Sequence, residues 1–380
     1  MSRRESDLDN GTMLLLAPSV GFGGGIERVA DVIERTWPTR CLRVNLYRRG
    51  WERSPTGNRP RQVQFGVQTA TVALRYKPDL IFCLHAGLLP VAVAAAQASG
   101  GILALWGHGD EVWLAPSRLK LALWRQVDAV FTSSTFTSDC VLANTRLDPI
   151  RVHTMHLPVA PLFERAQPSD LRSTEPQILS VGRVSRQSRY KGYYEVADCL
   201  PFVRAEVPGA RWQIVGNGDD TASLLSYCRS LGLDDEAVTL TSGLTDRELA
   251  AAYRRATVFA LPSVVHINAR TAEGEGFGLV YAEAGMFGVP SIASAEGGGA
   301  LDFVENGKTG LTVRPRDQEG LISAIVQLLT NSPFRDKLGR EARAKATRRH
   351  TSAAFEAEFR ERIGSVKRLR NRTADLRRSA

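Results

Sequence analysis

The sequence predicts an α/β protein built from two Rossmann-like, doubly wound domains, and three observations predict it. The chain has 380 residues, more than one ordinary domain holds, so two domains of roughly 150–200 residues are expected. Short apolar runs alternate with helical stretches over most of its length, the pattern of a sheet covered by helices. The alternation breaks once, at residues 158–177, and then restarts. Composition agrees with a folded soluble protein, at 43% hydrophobic and 23% charged.

In the first half, residues 13–18, 41–47, 80–85, 102–108, 129–133 and 152–157 read as strands. Their Val and Leu runs lack polar alternation, so both faces are covered and the sheet is parallel. The uncharged stretch 86–106 is long enough to raise a membrane span. Pro90, Gln97, Ser99, Gly100 and Gly101 interrupt it. It reads instead as a buried helix over 88–98, a Gly-Gly turn and a strand over 102–106. Residues 158–177, PVAPLFERAQPSDLRSTEPQ, read as a linker, being rich in Pro and polar residues with no period.

After it, strands are expected at 178–184, 212–216, 238–241, 258–262, 290–293 and 310–313, with helices at 219–231 and 278–288. Helices over 317–329, 333–348 and 352–369 then follow without further strands. The division expected is a first domain over 1–165 and a second over 170–350. Two such domains facing across a cleft at their strand C-termini suit a two-headed ligand.

Cys41, Cys83, Cys140, Cys199 and Cys228 form no C-x-x-C pair and are odd in number. They read as free thiols in a reducing compartment. The N-terminus MSRRESDLDNGT has no signal-peptide core, so a cytoplasmic location is expected. Net charge is +9, and residues 341–380 hold twelve Lys/Arg against five acids. Such a tail is either a solvated helix face or a surface for anionic lipid or nucleic acid. Its only aromatics are Phe355 and Phe359, which argues against nucleic acid.

Three segments carry chemistry. GFGGGIER at 21–28 directly follows the first strand. It is either a tight turn or a loop whose N–H groups approach a phosphate. Its spacing, with Arg28 where a third glycine belongs, is not the dinucleotide fingerprint. Arg183, in Val181-Gly182-Arg183, and Lys191, in Arg189-Tyr190-Lys191-Gly192, follow the first strand of the second half. Two cations there either converge on a diphosphate or are exposed surface charges. EGEGFGLVYAE at 273–283 places Glu275 in a loop mouth and Glu283 about one turn into a helix. A carboxylate in that place can accept paired ribose hydroxyls, and the free N–H groups at the helix start face a phosphate. Glu283 lies on an apolar stretch and is either satisfied or exposed.

With these motifs in order, the chain resembles a family 4 glycosyltransferase of the GT-B fold. The likeness extends over nearly the whole chain. It rests on VGR, RYKG, IVGNG, the E-x7-E block, GVPSIAS, GGxxDFVxxGxxG, GGIERVA and WGHGDE. The resemblance implies C-terminal helices that cross back, with 352–380 joining the first domain. It implies that Arg183 and Lys191 hold the donor diphosphate and that Glu283 bonds the ribose. Glu275, with the N–H groups of Phe277, Gly278 and Leu279, would contact the sugar or its phosphate. Gly23, Gly24 and Gly25 would close on the diphosphate, Gly216 and Asn217 would lie by the nucleotide, and His108 by the transferred sugar.

The reaction implied is retaining transfer from a UDP- or GDP-sugar to a hydroxyl acceptor, with no required metal and no cofactor. A donor phosphate oxygen would take the acceptor's proton in a front-face attack. His108 is otherwise a general base or a structural histidine. His153 and His156 read as strand-end residues, not metal ligands. A sugar-nucleotide 2-epimerase on the same fold is the alternative.

One departure is the longer VVHINARTAEG at 264–274, read as a loop over the donor, where His266, Asn268 and Arg270 could touch sugar or acceptor. A glycan or lipid-linked acceptor is expected. The Arg/Trp mixtures at 48–53 and 113–121 point to contact with an anionic membrane surface. No nucleic-acid partner is expected.

Overall fold

The computed structural model describes residues 11–21, 25–48, 59–166 and 176–379, with the backbone alone for 371–379. Two compact units result: Met1–Met155 with Phe355–Ala380, and His156–Ala354.

The first unit runs β1 (Met13–Val20), α1 (Gly25–Thr36), β2 (Cys41–Arg48), α2 (Arg59–Tyr76), β3 (Leu80–Cys83), α3 (Leu89–Ser99), β4 (Ile102–Gly107), α4 (Asp110–Trp113), α5 (Arg118–Trp124), β5 (Ala129–Thr132), α6 (Thr135–Thr145) and β6 (Val152–Thr154). The strands form one parallel sheet in the order β2-β1-β3-β4-β5-β6. Every residue of β3 and β4 is buried, which is why those strands read as unbroken apolar runs. Right-handed crossovers place α1 on one face of this sheet and α2, α3 and α5 on the other, because only the β1–β2 step runs the opposite way.

The uncharged stretch at 86–106 is α3, a turn and β4, as its glycines predict. Gly100 ends α3 at φ 74°, its N–H bonded to Ala96 O. A Cβ on Gly101 would lie 2.3 Å from Pro78 O, so only glycine fits there.

The second unit begins with α7 (Pro161–Glu164). It continues with β7 (Gln177–Val181), α8 (Tyr193–Glu206), β8 (Arg211–Val215), α9 (Thr221–Ser230), β9 (Val238–Thr241), α10 (Asp246–Arg255) and β10 (Val258–Ala260). Then come the antiparallel pair β11 (His266–Ile267) and β12 (Ala272–Glu273), α11 (Leu279–Met286), β13 (Ser291–Ser294), β14 (Gly310–Val313), α12 (Gln318–Thr330) and α13 (Ser332–Arg349). Its parallel sheet has the order β14-β13-β10-β7-β8-β9. Strand order reverses between β7 and β10, the switch point where open α/β sheets bind ligands at their C-terminal edge.

The expected linker is only partly one. Val159, Ala160, Phe163 and Ala166 belong to the core of the second unit, with Phe163 edge-on to Tyr253 and Phe287. The apolar residues among the prolines outweigh the missing periodicity. Residues 167–175 lie outside the described residues.

The last helix, α14 (Ser352–Ser379), packs on the first unit from Phe355 onward. Phe355, Phe359, Ile363 and Val366, spaced for one helix face, are buried. Phe359 stacks on Phe355 and lies tilted against Phe82, and Phe355 meets Trp106. Each buried ring contributes roughly 1.5–3 kcal/mol. These two phenylalanines are therefore core residues with no face free to stack a base.

Cys83, Cys199 and Cys228 are buried, and none of the five cysteines is in a disulfide. Burial pushes the Cys83 and Cys199 thiols up to about 12.

Candidate functional site

The turns after β7, β8 and β10 converge at the switch point of the second unit. The β7 and β8 turns are locked together: Gly182 N bonds Val215 O, and Val184 N bonds Asn217 O. A Cβ on Gly216 would lie 1.9 Å from Gly182 O, so the two turns touch through backbone. Asn217 is exposed on this edge, as is Arg183.

Lys191 is only 8% exposed. Its ammonium lies 2.5 Å from Glu275 Oε2 and 5.4 Å from the centre of the Tyr190 ring. Burial opposes its charge, but attraction to Glu275 outweighs this and holds the Lys191 pKa above the usual lysine range. Lys191 and Glu275, given separate contacts with the ligand from sequence, are thus one ion pair. Arg189 does not join it; its guanidinium forks onto Asp220, at 2.8 and 2.9 Å, under the Tyr194 ring.

Beyond Glu275 the chain turns sharply into α11. Gly278 sits at φ 75°, with Glu275 Cγ and the Tyr281 ring where a Cβ would go. As the N-cap of α11 it supplies no side chain to the first N–H groups, and the first turn holds no acid. Tyr281 N closes onto Gly278 O at 3.0 Å, but the N–H groups before it have no partner within the helix, so the helix start is a ready anion site. Gly299 N bonds Glu275 O at 3.0 Å, and a Cβ on Gly299 would lie 2.1 Å from Gly276 O. The loop is thereby seated on the 3-10 turn Gly298–Asp302. Phe277 is buried, its ring beside those of His156 and His350.

Glu283 is 3% exposed, which removes the exposed-helix alternative. Its Oε2 accepts the Tyr253 hydroxyl at 2.9 Å, so α10 orients a carboxylate that sequence could not pair. Tyr193, under Gly182, is buried, and its pKa is raised chiefly by that burial.

Residues 163–345 match the family model described as glycosyl transferases group 1. Over those residues, just under half of its length, the chain is similar to that family. It is 35% identical over 179 residues to a GDP-mannose-dependent alpha-(1-6)-phosphatidylinositol monomannoside mannosyltransferase of Mycobacterium tuberculosis, covering 46% of each. The chain thus spans about half the length of that relative. A Corynebacterium glutamicum enzyme named as a GDP-mannose-dependent monoacylated alpha-(1-6)-phosphatidylinositol monomannoside mannosyltransferase is 28% identical over 79% of this chain and 80% of its own. Among solved structures, Anabaena HepE in complex with UDP superposes with TM-score 0.75 at 20% identity, over 93% of this chain and 100% of that one. At that identity the likeness is one of fold: two Rossmann-like domains of the GT-B type.

The first unit holds the remaining expected residues. Gly25 opens α1, and Gly21 N bonds the buried Glu27 carboxylate at 3.1 Å. Gly23, Gly24 and the 49–53 loop lie outside the described residues. His108 follows β4, with Nε2 2.9 Å from Leu84 O. Since a carbonyl only accepts, Nε2 carries the proton and Nδ1 is left as acceptor. Burial lowers the His108 pKa, against the opposing charge of Glu111.

Sequence reasoning missed Glu111, which accepts the backbone N–H groups of His108 and Gly109 at 2.8 and 3.0 Å. It also missed His85, at the end of β3, whose Nδ1 accepts Gly87 N. WGHGDE contains the Glu111 signal, an acid three residues after His108.

The long 264–274 segment is a hairpin. Asn268 Oδ1 accepts Arg270 N and Thr271 N, and its amide donates to Thr271 Oγ1. Asn268 is therefore used by the turn itself, while His266 and Arg270 are exposed. His153 is not a strand-end ornament: it packs on Phe131 at 5.3 Å. His156 Nε2 meets Asp302 at 3.3 Å. Among the described residues no group of three His, Cys, Asp or Glu could hold a metal.

Proposed function

We propose that this chain is a retaining glycosyltransferase that moves a hexose from a GDP- or UDP-sugar to a hydroxyl acceptor, a glycan or a lipid-linked glycoside. The observation that carries this reading is the Lys191–Glu275 pair beside the uncapped start of α11. Lys191 has three N–H donors and gives one to Glu275; the others can meet donor phosphate oxygens. Arg183 adds a second cation, and the N–H groups of Phe277, Gly278 and Leu279 meet the sugar or its phosphate. Glu283, oriented by Tyr253, takes the ribose, while Gly216 and Asn217 border the nucleotide.

As the bond from the sugar C1 to the leaving phosphate breaks, negative charge grows on the diphosphate, which these groups stabilise without a metal. The acceptor oxygen bonds C1 on the same face, and its proton passes to the departing phosphate oxygen. His108 offers Nδ1 to a sugar hydroxyl. Transfer, rather than epimerisation, is supported by the mannosyltransferase names of the relatives. Those names favour GDP, and the HepE complexes favour UDP.

The test is a thermal-shift screen of the full chain against GDP, UDP, ADP and TDP, with and without chelator. One diphosphate should raise the melting temperature, equally with chelator, and the rise should vanish in Lys191→Ala. No rise with any of them would sink the donor site.

A further inference from the structure

The helices α2, α3 and α5 lie on one face of the first sheet. Together they contain no Asp or Glu, while α2 carries Arg59, Arg61 and Arg75 and α5 carries Arg118 and Lys120. The face is also apolar outward. On α2, Phe65, Thr69 and Ala73 point inward. Val63, Val67 and Leu74 stand outward at 66%, 60% and 63% exposure, and Leu119 on α5 reaches 79%. Val63, Val67 and Leu74 are spaced by four and seven, one stripe along a helix. Between the two basic helices, the outward residues of α3 are Pro90, Ala94, Gln97 and Ala98, all uncharged and exposed. Five of the nine large apolar side chains exposed among the described residues lie on α2 or α5.

We infer that this three-helix face docks on an anionic lipid bilayer. Aliphatic side chains ringed by arginines, with no acid, fit the boundary between headgroups and acyl chains: Val63, Val67, Leu74 and Leu119 enter it while the cations reach lipid phosphates. A second copy of the chain fits poorly, because a two-fold interface would set arginines against arginines. The C-terminal cations, where sequence also pointed, are less suited. Arg360, Arg362 and Arg370 pair with Glu356, Glu358 and Asp128, and Phe355, Phe359, Ile363 and Val366 of α14 are buried in the core. Of the 113–121 segment, Trp113 is buried, but Arg118, Leu119 and Lys120 belong to this face. Among the described residues no helix is long and apolar enough to cross a membrane, so the contact is peripheral.

The inference does not depend on the donor reading, since it is tested without nucleotide sugar. The full chain is sedimented with vesicles of phosphatidylcholine, alone or mixed with phosphatidylglycerol. It should pellet with the anionic vesicles only, and less as salt rises. Val63→Asp/Val67→Asp/Leu119→Asp should weaken binding at least about tenfold with an unchanged far-UV spectrum, since all three side chains are exposed. Arg360→Gln/Arg368→Gln on α14 should bind as the parent does. The inference is overturned if the parent stays in solution with anionic vesicles, or if the aspartate variant binds as well as the parent. It also fails if the parent is a dimer that the aspartate variant makes monomeric, which would make the face a self-interface.

Discussion

Lys191 and Glu275 are opposite charges that offset each other in a largely buried place. Removing one partner of a buried pair costs about 3–5 kcal/mol when burial is complete, because the other charge is left uncompensated. Lys191→Ala should therefore lower both the melting temperature and kcat/KM for sugar transfer, the latter at least about tenfold. Lys191→Ala/Glu275→Ala should recover much of the melting temperature and none of the activity. Steady-state kinetics and melting of the three proteins decide this; a double variant as active as the parent would make the pair purely structural.

The 273–283 loop is placed by contacts of backbone with backbone more than by its own side chains. Gly299 is the clearest case, since Gly276 O occupies the space of its missing Cβ. Gly299→Ala must push the loop outward, moving Glu275 and the start of α11 together. The expected result is a donor KM raised about fivefold or more, roughly 1 kcal/mol, with the far-UV spectrum preserved. An unchanged KM would show that the loop position does not set donor affinity.

Across the molecule, burial lowers the pKa of three histidines, His108, His153 and His350. His350 is pushed down to about 3 and His153 to about 4, in each case chiefly by burial. Between those values and the ordinary 6.5, the unfolded chain binds protons that the folded chain refuses. Stability is therefore complete above about pH 6.5 and falls as pH drops toward 4. Each tenfold loss of proton affinity on folding corresponds to about 1.4 kcal/mol. His350 donates Nδ1–H to Leu157 O, and its own carbonyl accepts Val159 N. His350→Gln should lower the melting temperature at pH 7 and flatten its fall between pH 6.5 and 4, as read by calorimetry across that range. A slope as steep as the parent's would place the acid sensitivity elsewhere.

What the sequence determined by itself is whatever local pattern dictates. Runs such as LIFC and ILALWG must be covered on both faces, so parallel strands in helix-covered sheets followed from hydrophobic period alone. Gly100 and Gly101 showed where 86–106 breaks, because backbone conformation and close approach leave no other residue there. The positions of Arg183, Lys191, Glu275 and Glu283 at strand ends and the start of a helix were legible for the same reason. Only tertiary structure decided how they are partnered: Lys191 with Glu275 across 84 residues, and Tyr253 with Glu283 across 30. It also drew Phe163 out of an expected linker into a core and spent Asn268 on its own turn. It turned Val63, Val67 and Leu119 outward as well, where hydrophobicity alone would have buried them. Period and turn chemistry act over a few residues and are written in order along the chain. Ion pairs, buried carboxylates and exposed apolar faces depend on which distant surfaces meet, and sequence spacing carries no record of that.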